Sequence, residues 1–115
     1  MRALKYFEWL STTTITANGN TRTSAVYVSG TEQITLFVNI TEVSGTSPTL
    51  DLYIDVYDDV TEQWYELAHV GTFTATGTTP HNISVNGGQC FALRWVVGGT
   101  SPSFKIKIGA EFRGE

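Results

Sequence analysis

The chain has 115 residues, a formal net charge of −4, one cysteine and 16% charged residues. That length fits one domain, residues 1–115, burying roughly 65% of its unfolded surface, and 41% hydrophobic with 12% aromatic residues argues against disorder. Seven Lys and Arg are too few for a nucleic-acid grip by phosphate neutralisation, no run approaches the ~18 apolar residues of a membrane helix, and Cys90 alone allows neither an intrachain disulfide nor a multi-cysteine zinc site.

Along the chain, helical spacing of apolar residues is nearly absent, and the supply of Thr, Val, Ile, Tyr and Phe favours extended backbone. Met1–Leu10 has charges within its apolar stretch and reads as a poor secretion signal; Ala3 to Trp9 reads as a weak strand. After the turn signal Asn18-Gly19-Asn20 comes a short strand, Ala25 to Val28, closed by Ser29-Gly30. Ile34–Ile40 alternates clearly, with aliphatics at even positions, and so does Leu50–Val56. Trp64 to Val70 and Thr72 to Ala75 are weaker strands before Thr76-Gly77, and Asn82 to Val85 precedes the turn Asn86-Gly87-Gly88. Phe91 to Val97 and the alternating Phe104–Ile108 complete the set. Short strands at this spacing predict an all-β, antiparallel β-sandwich or jelly roll.

A repeat organises the middle of the chain. Val43-Ser44-Gly45-Thr46-Ser47-Pro48-Thr49-Leu50 returns 54 residues later as Val97-Gly98-Gly99-Thr100-Ser101-Pro102-Ser103-Phe104. Glycine frees φ, Ser and Thr satisfy loop amides, and Pro fixes φ before a strand. The pattern predicts two pseudo-equivalent hairpins, with loops Gly45, Thr46, Ser47, Pro48 and Gly99, Thr100, Ser101, Pro102.

These two segments, with Asp51-Leu52, Tyr57-Asp58-Asp59 and Trp64-Tyr65-Glu66-Leu67, resemble the small virion structural proteins of tailed bacteriophages and prophages. The resemblance spans residues 34–112. It implies a non-catalytic β-sandwich of the virion, made in the host cytoplasm. A capsid decoration or cement subunit would act as a homo-oligomer, a trimer favoured, on the major capsid protein. The alternative is a tail, baseplate or adsorption accessory module that binds carbohydrate. Residues 1–33 lie outside the resemblance and are expected to form an N-terminal adaptor segment.

The residues offer little catalytic chemistry. Asp55, Asp58, Asp59 and Glu62 lack the alternate-position ligands and central glycine of a calcium loop, and read as turn caps. His69, His81 and Cys90 lack the short spacing of a metal site, and no Gly-x-Ser-x-Gly nucleophile elbow occurs. No cofactor, metal, nucleic acid or membrane is expected as a partner, and the protein is not expected to be an enzyme. The sequons Asn39-Ile40-Thr41 and Asn82-Ile83-Ser84 are discounted without a secretion signal.

Aromatic parity is more informative. If Leu36, Val38 and Ile40 face inward, Phe37 faces out, and the same logic turns Tyr53 and Tyr57 outward beside Asp51 and Asp55. In strand 91–97, Phe91, Leu93, Trp95 and Val97 share one side and Ala92, Arg94 and Val96 the other, a covered strand consistent with an oligomer contact. Trp95 is expected to stack under Lys105 across the second hairpin, and Arg94 to pair with an acid at an interface. The candidate interface or ligand face is therefore Phe37, Tyr53, Tyr57, Trp95 and Arg94.

Overall fold

The computed structural model describes residues 1–85 and 87–115, so Asn86 of the predicted Asn86-Gly87-Gly88 turn lies outside the described residues. Among the described residues seven strands follow one another: β1 (Arg2–Ile15), β2 (Gly19–Asn20), β3 (Val26–Tyr27), β4 (Thr31–Asp58), β5 (Gln63–Phe73), β6 (Gly77–Ser84) and β7 (Cys90–Gly114), with a 3-10 turn at Arg22–Ser24. All pairings are antiparallel.

β4 and β7 are far longer than the sequence pattern suggested. β4 joins the two alternating runs Ile34–Ile40 and Leu50–Val56, and β7 joins Phe91–Val97 to Phe104–Ile108. They pair with each other from Thr31–Gly114 to Val56–Phe91. β6 lies beside the first half of β4 and β5 beside its second half; β2 and β3 lie beside the first half of β7 and β1 beside its second half. The molecule thus has two layers sharing two strands. Sheet I runs β6, residues 31–44, residues 103–114, β1. Sheet II runs β5, residues 49–58, residues 90–98, then β2 and β3.

The two Gly-Thr-Ser-Pro segments are therefore not hairpin loops. Thr46 pairs with Thr100 where the long strands cross, and the ladder slips on either side of that pair. Gly45 and Gly99 have φ of 112° and 96°, and Ser47 and Ser101 both have φ of 49°. These left-handed residues bend each strand out of one sheet and into the other, which is how corners are made when strands switch layers. Turn chemistry is used here to fold a continuous strand rather than to reverse it. Close approach adds a second demand for glycine: a Cβ on Gly45 would sit 2.6 Å from the Ser101 carbonyl oxygen, and one on Gly99 would strike that of Ser47.

The equivalence of the two segments extends to the whole chain. β1, β2–β3 and β4 recur in order as β5, β6 and β7, and β1 lies on β7 as β5 lies on β4. A pseudo-twofold axis passes through the Thr46–Thr100 crossing. Within residues 1–33, β1 is the outer strand of sheet I and sends Trp9 and Ile15 into the core.

Between the layers, Leu36, Val38, Ile106, Ile108 and Phe112 of sheet I face Leu52, Ile54, Phe91, Leu93 and Trp95 of sheet II, all buried. Phe91 and Phe112 meet across them with ring centroids 5.4 Å apart. Each such side chain contributes about 1.5–3 kcal/mol by leaving water. Strict alternation sends the other parity to two outer faces, and these carry the polar chemistry.

Candidate functional site

The outer face of sheet II is set by register. β4 presents Asp51, Tyr53, Asp55 and Tyr57; β5 places Thr72, His69, Glu66 and Trp64 directly beside them, and β7 places Arg94 beside Tyr53. Two register slips in β4–β5, after Leu52 and after Ile54, keep these residues on one side.

At the centre, Asp55 is 1% exposed although it points away from the core. Arg94 Nε donates to Asp55 Oδ2 at 3.0 Å and Arg94 Nη2 to Glu66 Oε1 at 3.0 Å. Its guanidinium lies 4.1 Å from the Tyr53 ring centroid. A second guanidinium arrives from the 3-10 turn. Asn20 Oδ1 accepts from the Arg22 backbone N–H at 3.0 Å, which starts the turn, and Arg22 Nη2 then donates to Asp55 Oδ2 at 2.8 Å. The Arg22 guanidinium also lies 5.4 Å from the Trp64 ring centroid.

Two aromatic pairs flank this charged centre: Tyr53 with His69 at 4.9 Å and Tyr57 with Trp64 at 5.2 Å. Burial works against the charge on Arg94, but hydrogen bonds and charge from Asp55 and Glu66 outweigh it and hold the group above the ordinary arginine value. Asp51 is held below the ordinary carboxylate range, chiefly by the Thr72 hydroxyl and also by His69, whose Nε2 is 3.0 Å away. The face therefore offers fixed rings and oriented donors and acceptors. That suits recognition of a polyhydroxylated ligand, whose C–H faces stack on rings while its hydroxyls hydrogen-bond at the rim.

The five residues singled out from sequence do not form one site. Tyr53, Tyr57 and Arg94 come together here. Phe37 lies on the opposite outer face, on sheet I. Trp95 is 9% exposed in the core, opposite Leu52 and against Gly19, where a Cβ would stand 2.9 Å from the indole nitrogen. Its expected stacking under Lys105 fails because the corner is not a hairpin: Lys105 sits on sheet I, 3.5 Å from Glu42. Strand 91–97 is covered on its outer side by its own chain. Arg22 must pass over Ala92 to reach Asp55, and the segment carrying it is fastened by Leu93 N–H to Thr21 Oγ1 at 2.9 Å and Val97 N–H to Asn18 Oδ1 at 2.8 Å. The eight Gly-Thr-Ser-Pro residues sit at the strand-crossing corner, away from this face.

The acids of the Asp55–Glu62 stretch do unrelated jobs. Asp58 Oδ2 accepts from Thr61 N–H at 2.9 Å and Thr61 Oγ1 at 2.7 Å, which caps the β4–β5 turn and keeps its carboxyl below the ordinary range, while Asp55 belongs to the arginine network. His69 is on the sheet II face, His81 packs edge-on against Phe73 at 5.5 Å, and Cys90 is buried.

The face picked out from sequence left out Arg22, Glu66 and His69. Glu66 was within reach, since an Arg on an apolar strand calls for acids on neighbouring strands. Arg22 gave no signal, because only the turn after β2 aims it at Asp55.

No protein-family model matches the sequence, and no curated protein matches it. Solved structures do share its fold. The SPBc2 prophage-derived protein YomS superposes with a TM-score of 0.53 at 12% identity, over 95% of this chain and 92% of that one. The CBM22-1 xylan-binding domain of Paenibacillus barcinonensis Xyn10C superposes with a TM-score of 0.50 at 10% identity, over 99% and 96%. At such identities the likeness establishes the fold: an antiparallel β-sandwich.

Proposed function

We propose that the protein is a non-catalytic, virion-borne accessory module that binds carbohydrate on the outer face of sheet II. The observation that carries this reading is the cluster of Tyr53, Tyr57, Trp64 and His69 around the Asp55–Arg94–Glu66–Arg22 network on one open sheet face. Rings held in place by ion pairs lose little entropy on binding. The fold shared with a xylan-binding domain supports the ligand class, and the resemblance to phage proteins supports the location. The test is a glycan array followed by NMR mapping with the best hit. Shifts centred on Tyr57, Trp64, Glu66 and His69 are expected, and Glu66→Gln should weaken binding about tenfold. An array without hits rejects the reading.

A second reading is the one the resemblance implied first: a capsid decoration or cement subunit, a homo-oligomer on the major capsid protein. Its support is the fold shared with a prophage-derived protein. Light scattering that returns the monomer mass at micromolar concentration, with no protein in purified particles, rules it out.

A further inference from the structure

The outer face of sheet I is the pseudo-twofold twin of the site on sheet II. Glu8 of β1 pairs with Gly109 as Glu66 of β5 pairs with Asp55, and Tyr6 pairs with Glu111 as Trp64 pairs with Tyr57. Across the sheet, Phe37 lies beside Gly109 where Ala92 lies beside Asp55. The twin thus keeps the flanking ring and carboxylate, replaces the central acid by glycine, and adds a ring where the other face has a methyl group.

The consequences are physical. With no carboxylate at position 109, the guanidinium on this face, Arg113, pairs with Glu111 instead, and the rings stay open: Tyr6 is 72% exposed and Phe37 41%. They meet edge to face, with centroids 6.1 Å apart and planes at 69°. A groove of about 300 Å³ runs over Gly109 between Tyr6, Glu8 and Lys107, and a second of about 220 Å³ lies on the far side of Phe37, bordered by Asn39 and Pro80. Lys107 Nζ and Glu8 Oε2 stand 3.1 Å apart at the rim, both about half exposed.

We infer that this face is a second carbohydrate subsite, with the C–H face of a sugar ring on Tyr6 and Phe37 and its hydroxyls on Glu8, Lys107 and Asn39. The inference rests on the carbohydrate reading above and extends it to a bivalent module. The occupant follows from the grooves themselves. Each mixes an aromatic wall with donors and acceptors, and the larger matches the lower end of small-ligand sites, about 300 Å³. A stable contact with a second copy would need about 800 Å² from each partner, whereas the apolar ground here is Tyr6, Phe37 and Pro80. Two modest subsites on opposite faces of one rigid body would also bridge neighbouring glycan strands, gaining avidity without either being tight.

Isothermal titration with soluble hexasaccharides of xylose, glucose, mannose and N-acetylglucosamine tests this. The saccharide that binds should do so with two equivalents per chain, falling to one in Tyr6→Ser and in Gly109→Asp. The second variant fits the fold, since a Cβ at Gly109 meets nothing nearer than 3.8 Å. Glu66→Gln should weaken the other equivalent about tenfold. Two equivalents in the wild type, one of them lost in Tyr6→Ser, support the inference. One equivalent that survives Tyr6→Ser and weakens in Glu66→Gln overturns it and leaves the sheet II reading intact. No binding by any of the four overturns both. A sedimentation mass that falls from dimer to monomer in Tyr6→Ser also overturns it, because a second copy then covers the face.

Discussion

The two outer faces occupy equivalent places on a pseudo-symmetric scaffold, yet one is centred on a buried carboxylate and the other on a glycine. On sheet II the central Asp55 gathers Arg94 and Arg22, and the rings are held half-buried between charged groups. On sheet I the equivalent Gly109 gathers nothing, and Tyr6 and Phe37 stand in solvent. The difference shows how much of a sheet surface is decided by one central residue. A buried carboxylate recruits its counter-charges from a neighbouring strand and a turn, whereas a glycine leaves room for something from outside.

The sharpest way to break the contrast is Asp55→Ala. It leaves Arg22 without an acid and Arg94 with Glu66 alone and should cost about 3 kcal/mol, measured by urea denaturation. Its counterpart, Gly109→Ala, meets only ordinary contacts and should change stability by less than about 0.5 kcal/mol. Equal losses from the two would mean that the faces are held in the same way.

The scaffold comes next. Gly45→Ala and Gly99→Ala each combine a strained φ with a clash against the other strand's backbone. Each should lose about 2–3 kcal/mol, and the two losses should match within about 0.5 kcal/mol if the pseudo-twofold is energetic as well as geometric.

Smaller effects sharpen the comparison. Asp51 on sheet II has a depressed carboxyl pKa, so its contribution is present above the unfolded value of about 3.9. It is lost as pH falls through the folded value. The Tm difference between wild type and Asp51→Asn should therefore shrink between about pH 6 and about pH 2; a constant difference would contradict this assignment. Smallest of all, Tyr6→Ser should leave Tm nearly unchanged, because the ring is mostly in water already.

Much of this was legible in the sequence, but unevenly. Period-two alternation located the inward set at Leu36, Val38, Leu52, Ile54, Leu93 and Ile106, because burial on one face of a strand forces that pattern. The corner was misread for a physical reason. Glycine with positive φ followed by Ser-Pro is equally good chemistry for reversing a chain and for bending one, and only the partner strand decides. Trp95 was misplaced by the same error, since its expected neighbour Lys105 depended on a hairpin. Arg94 announced that it needed an acid. Arg22 announced nothing, because its role depends on Asn20 starting a turn beyond β7 and on a long reach across Ala92.

The shared strands also have a kinetic consequence. Because β4 and β7 run through both layers, neither sheet can form or melt while the other stays intact. Apart from the local β4–β5 hairpin, the pairing that builds both layers joins segments as distant in sequence as Thr31 and Gly114 or Val56 and Phe91. Loop closure over such spans comes before its reward in burial, so folding should be a slow, single-barrier process with a high contact order. The crossing at Thr46 and Thr100 is then the natural place for a nucleus, where two equivalent halves of the chain first recognise each other.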